Sequence, residues 1–213
     1  MERPSVAEPE GLLVLHHGRG TDERDLLGLA DALDPERRLQ VATPRAPLTL
    51  AGSPGYHWYL VPRVGYPDRD TFHAARAALA ELHDELWQRT GVGPERTVLG
   101  GFSMGAVMSY AMGLSDDRPA VAGVLAFSGF VPTVDDWRPQ LEGRQGTSVF
   151  VAHGRNDPII EVEFAHRARR LLEEGGLEVE YHESEVGHQI DPAHLSAVVK
   201  WLALALPLAE APS

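Results

Sequence analysis

Gly101-Phe102-Ser103-Met104-Gly105 has the residue types and spacing to expose a nucleophile. A serine hydroxyl reacts only when a base takes its proton, so it has to stand clear of the chain within reach of one. The strand-forming run Thr97-Val98-Leu99 leads into Ser103, and the apolar stretch Ala106 to Met112 reads as the helix that follows. On such a strand-to-helix turn a Cβ at Gly101 or Gly105 would block the approach of strand and helix. The Met104 N–H then lies at a helix N-terminus, aimed where an oxyanion would develop. The same five residues could form a plain glycine-rich turn with a helix-capping serine. The flanking strand and helix favour the nucleophile.

The other groups needed for acyl transfer follow in order. Asp157, in His153-Gly154-Arg155-Asn156-Asp157-Pro158, comes just after the strand read at Ser148 to Ala152. In an open α/β sheet that carries a serine nucleophile, an acid just past a late strand can orient the catalytic histidine. An aspartate before proline is otherwise an ordinary turn residue. Its rivals are weaker, since Asp135 and Asp136 read as solvated loop residues and Asp191 as a helix N-cap. Of ten histidines, only His188 lies in the loop after the last strand and downstream of both Ser103 and Asp157. His73, His83 and His166 fall within helices and read as surface residues. The order Ser, Asp, His is the one this fold uses. At the end of the first long strand, His16-His17-Gly18-Arg19-Gly20 offers a second oxyanion donor, the backbone N–H of Arg19.

These residues must be carried by an alternating frame. Leu12 to Leu15, Leu39 to Ala42, Thr97 to Phe102, Val121 to Phe127, Ser148 to Ala152 and Leu177 to Tyr181 read as strands. Helices are expected from Thr21 or Asp22 to about Leu33, then over Thr71 to Arg89, Ala106 to Met112, Glu161 to Glu174 and Ala193 to Leu206. The alternation predicts an α/β fold over 1–213 as one domain. Its central sheet would have about six or more mainly parallel strands, with helices on both faces. The segment between Phe127 and Ser148 is too short for a large lid, which argues against a lipase needing interfacial activation.

Composition narrows the function further. The chain has 213 residues, 43% hydrophobic and 23% charged, as in ordinary globular proteins. Its formal net charge of −12 repels phosphate backbones and anionic lipid, so nucleic acid is not an expected partner. It also disfavours polyanionic substrates unless a local patch overrides the mean field. The chain has no cysteine, which excludes a thiol nucleophile, disulfides and thiolate-bound metal. No His-x-His or His-Glu-x-x-His spacing occurs, so no metal is expected. Met1 to Gly11 has no apolar core of a signal peptide, and Trp201 to Leu208 is too short to span a bilayer. A cytoplasmic location and no stable membrane insertion are the expectations.

With these pieces in line, the chain resembles the phospholipase/carboxylesterase family of α/β-hydrolases, which includes the acyl-protein thioesterases. The resemblance rests on Leu15 to Gly20, the Trp58 segment after a Pro-rich loop and Gly91 to Pro94. It continues through Gly101 to Gly105, His153-Gly154 with Asp157, and Gly187-His188. It implies esterase activity on short or medium acyl chains, no cofactor and often a homodimer. It also places the triad on Ser103, Asp157 and His188 and the oxyanion donors on Arg19 and Met104. Many members carry glutamine where this chain has Met104, so the pocket wall here is more apolar. Trp58, Tyr59, Phe130 and Val131 are the candidate acyl-pocket walls, although each also suits core or rim packing. The expected activity is a serine carboxylesterase acting on a small-molecule ester. An acyl thioesterase, lysophospholipase or amidase with the same triad is the alternative within enzymes. A non-catalytic binding protein on a hydrolase scaffold is the alternative outside them.

Overall fold

Side chains alternate across the first long strand: Leu12 and Val14 pack into one apolar cluster, Leu13 and Leu15 into another on the opposite face. That strand is β2 (Leu12–His16), one of seven in a sheet ordered β1-β3-β2-β4-β5-β6-β7. The structure, a computed structural model, describes residues 1–206. Pro207 and Leu208, the end of the apolar run noted above, lie outside the described residues. The six expected strands are β2, β3 (Gln40–Ala42), β4 (Thr97–Phe102), β5 (Gly123–Phe127), β6 (Ser148–Gly154) and β7 (Val179–Ser184), all paired in parallel. The seventh, β1 (Glu2–Arg3), runs antiparallel to β3 at the edge. Two residues carry no hydropathic signal. The Arg3 guanidinium helps hold β1 by bonding the carboxylate and the carbonyl of Asp34.

Helices α2 (Arg69–Thr90), α3 (Met104–Gly113) and α4 (Glu163–Glu174) cover one face; α1 (Leu27–Leu33) and α5 (Leu195–Ala205) cover the other. All ten residues of α3 are buried, which is why its sequence is apolar or small throughout. Helix α2 is capped by Asp68, whose side chain accepts from the Thr71 N–H, and it ends at Gly91 in the left-handed conformation (φ 67°). α1 starts later than the sequence suggests. Thr21 and Asp22 use their side chains in local turns, with Thr21 Oγ1 donating to the Gly18 carbonyl and Asp22 accepting from the Arg24 N–H at 2.8 Å. His83 was expected at the surface and is instead buried. It lies on the inward stripe of α2 with Phe72, Ala75, Leu79 and Leu86, a helical spacing that points into the core. No helix among the described residues is long and apolar enough to cross a membrane.

The parallel pairing brings the C-terminal ends of β2, β4, β6 and β7 to one edge of the sheet. That edge is where an open α/β sheet places its ligands. β6 and β7 both run further than the hydropathic runs indicate. Their pairing extends to His153 opposite Glu183 and Gly154 opposite Ser184, toward the Asp157 and His188 loops.

Candidate active site

Ser103 has φ 55° and ψ −119°, a backbone state that L-residues seldom adopt. Its surroundings force it. The Ser103 N–H donates to the Phe127 carbonyl at 2.9 Å, and the Ser103 carbonyl accepts from the Val107 N–H in the first turn of α3. The helix crosses the strands closely enough that a Cβ on Gly101 would meet the Gly105 backbone at 2.5 Å, and one on Gly105 the His16 carbonyl oxygen at 1.9 Å. Both glycines of the motif are therefore required by space, as the pattern suggested.

The two loops that carry Asp157 and His188 are joined to each other. Arg155 N–H donates to the Ser184 carbonyl at 2.8 Å and Asn156 N–H to the Val186 carbonyl at 3.1 Å, which prolongs the β6–β7 ladder. Gly154 lies against the Val186 and Gly187 carbonyls, leaving no room for a Cβ. At the end of this ladder His188 Nδ1 lies 2.6 Å from Asp157 Oδ2, and His188 Nε2 lies 2.8 Å from Ser103 Oγ. An ionised Asp157 can only accept, so Nδ1 carries the proton and Nε2 is free to receive one from the serine. Asp157 Oδ1 accepts from the Ile159 and Ile160 N–H groups at 2.8 and 2.9 Å, which fixes the carboxylate. Phe102 packs against the imidazole, ring centroids 4.9 Å apart.

Beside Asp157 lies His153, which the sequence reading did not treat as a site residue. Its buried Nε2 donates to the Ile160 carbonyl at 2.8 Å and lies 3.5 Å from Asp157 Oδ2. Burial holds its ring below the usual imidazole range, so it approaches the carboxylate as a neutral dipole. The spacing His153 to Asp157 was visible, but its burial was not.

The Met104 N–H opens α3 next to Ser103, and Gly18-Arg19 leaves β2 alongside. Trp58 ties these two segments together. Its indole N–H donates to the His17 carbonyl at 2.9 Å and its backbone N–H to Met104 Sδ at 3.2 Å. Trp58 therefore lies beneath the site and does not line the cavity. Tyr59 and Phe130 do line the cavity in front of Ser103, about 70 Å³ in volume, together with Met104 and Arg19. Val131 lines a neighbouring trough of about 430 Å³ that shares the Phe130 wall. Val61, Arg63, Tyr66, Ile159 and Ile160 also line the first cavity. No motif marks them, because they converge only once the 59–67 loop folds over the elbow. Among the described residues no cluster of histidine and carboxylate side chains is placed to hold a metal ion.

Residues 3–206 match the phospholipase/carboxylesterase family model. The chain belongs to that family. This phospholipase/carboxylesterase family member is a serine hydrolase, as its relatives are. It is 26% identical to acyl-protein thioesterase 1 of Emericella nidulans over 96% of this chain and 94% of that protein. It is 32% identical to acyl-protein thioesterase 1 of Debaryomyces hansenii over 65% of this chain and 62% of that protein. Among solved structures the Bacillus cereus carboxylesterase superposes with a TM-score of 0.84 at 26% identity, covering 96% of this chain and 93% of that one.

Proposed function

We propose that the chain hydrolyses short- to medium-chain carboxylic esters through an acyl-enzyme on Ser103. The observation that carries this reading is the hydrogen-bonded line Ser103–His188–Asp157, opening on a mainly apolar cavity. His188 Nε2 takes the Ser103 proton as Oγ attacks the ester carbonyl, and Asp157 stabilises the imidazolium that forms. The backbone N–H groups of Arg19 and Met104 hold the oxyanion, each contributing about 3 kcal/mol to the transition state. His188 then gives its proton to the departing alcohol. A water enters, the same base activates it, and it releases the acid. The cavity at Ser103 suits a short acyl chain, and a longer one would continue past Phe130 into the trough.

A thioester would form the same acyl-enzyme with a thiol leaving, and the name of the fungal relatives supports that second reading. The test is a series of p-nitrophenyl esters of graded chain length, with wild type and Ser103→Ala. A loss of about ten-thousandfold is expected in the variant, and retained activity would refute the serine mechanism. Acyl-coenzyme A substrates of the same chain lengths separate ester from thioester preference.

A further inference from the structure

The protein is strongly acidic, and most of its arginines are ion-paired, among them Arg3, Arg24, Arg45, Arg69, Arg118 and Arg155. Two of the arginines without such a partner stand at Ser103. Arg19 and Arg63 both line the cavity in front of Ser103, and neither has a carboxylate within ion-pairing distance among the described residues. The trough beyond Phe130 repeats the arrangement. Arg138 donates to the Val134 and Trp137 carbonyls, and Arg167 to the Glu163 carbonyl while lying 4.3 Å over the Phe164 ring. One carboxylate, Asp135, faces that trough.

Arg63 is exposed and stacks on an exposed ring. Its guanidinium carbon lies 3.6 Å over the Tyr66 ring. The two residues close a tight turn through a 2.9 Å bond from the Tyr66 N–H to the Arg63 carbonyl, with Gly65 at φ 83° inside it. The Phe164 ring fills the space a side chain at residue 65 would need, and the Thr133 hydroxyl bonds the Gly65 carbonyl. Arg19 is exposed at the cavity mouth, and its charge reaches His57, where it adds to the effect of burial in keeping that ring neutral. Two guanidiniums without carboxylate partners thus line the cavity at Ser103, on a protein whose net charge is −12. Guanidinium forks match carboxylate and phosphate oxygens.

We propose that the ester this site is built for carries an anionic group, a carboxylate or a phosphate, held by Arg19 and Arg63 while Ser103 attacks the carbonyl. This inference rests on the serine-esterase reading above and specifies its substrate class. The acyl half and the alcohol half are the two places the charge can reside.

Two matched substrate pairs separate them. In the first, p-nitrophenyl hexanoate is compared with mono-p-nitrophenyl adipate, in which a carboxylate replaces the terminal methyl of the acyl chain. In the second, glycerol monobutyrate is compared with its glycerol phosphate counterpart. Wild type is expected to favour the charged member of at least one pair by about tenfold in kcat/KM, mainly through KM. High salt should erode the preference, and Arg63→Glu should reverse it. A wild type that favours the neutral member of both pairs, or a preference untouched by Arg63→Glu, would overturn the anion site. If Ser103→Ala abolishes hydrolysis in that case, the serine mechanism stands without it. Hydrolysis persisting in Ser103→Ala would remove the mechanism and this inference with it.

Discussion

Gly105→Ala perturbs the site without touching any of its reacting groups. The added methyl would lie 1.9 Å from the His16 carbonyl oxygen and 2.6 Å from that of His17. Carbon and oxygen atoms do not pack closer than about 3 Å, so α3 and the end of β2 must part by about 1 Å. Both atoms in the way are backbone, and no rotamer change can relieve them. The cost belongs at the upper end of the overpacking range, about 3 kcal/mol, or a fall in Tm of roughly 6–12 °C for a chain of this size. The parting also separates the Met104 N–H from the Arg19 N–H, and a 1 Å misplacement at a reacting centre costs about a hundredfold in rate. Calorimetry and p-nitrophenyl butyrate hydrolysis measure the two effects. Gly28→Ala is the control, because Gly28 lies on an exposed stretch of α1 with nothing within 4 Å of a new Cβ. It should stabilise by up to about 1 kcal/mol and leave the rate alone. A Gly105→Ala protein with wild-type Tm and wild-type kcat/KM would refute the claim that helix–strand contact sets the oxyanion geometry.

Asp157→Asn should fold, since an amide oxygen still accepts from Ile159 and Ile160, yet kcat should fall about ten-thousandfold because the imidazole loses its tautomer. Single-turnover acylation measures this, and a loss under tenfold would contradict the assigned role. Met104→Gln should keep kcat/KM within about tenfold, because the proposed donor is backbone, and the new amide can still accept from the Trp58 N–H. Steady-state kinetics on p-nitrophenyl butyrate check this. Stability should decline on the acid side. Burial holds His16 well below the usual imidazole range, helped by the nearby His83, and it lowers His83 to about 3. Unfolded, both rings bind protons at a pKa of about 6.5, so unfolding takes up protons and stability falls as pH drops from there toward 3. Each ring contributes up to about 1.4 kcal/mol per pH unit. Urea midpoints at about pH 7.5 and 5.5 should show the loss, and His83→Leu should flatten it.

The candidate triad could be read from the sequence because its parts are short and ordered along the chain. The elbow carries its own spatial requirement in Gly101 and Gly105, and the positions of Asp157 and His188 follow from counting strands. The pocket was less legible. Trp58 looked like a wall and lies underneath, bonded to the His17 carbonyl, because aromatic content does not reveal which way a loop residue faces. Arg63 and Tyr66 come from a loop whose path is set by contacts with Thr133 and Phe164, far along the chain. His83 was misread for a different reason: its place on the inward stripe of α2 was in the sequence, but a histidine there was taken as polar surface. Edge strand β1 gave no signal, since tertiary bonds from Arg3 and not hydropathy hold it.

The left-handed backbone of Ser103 also bears on how the protein could be engineered. A residue held in such a conformation costs on the order of 1–3 kcal/mol, supplied by the packing of α3 against the sheet. Glycine would adopt the same φ and ψ without strain, so Ser103→Gly should melt higher than wild type while losing about ten-thousandfold in hydrolysis, as expected for Ser103→Ala. Selection for thermostability alone would therefore tend to discard Ser103, the proposed nucleophile, first, and any stabilised variant of this enzyme should be screened for activity at every round.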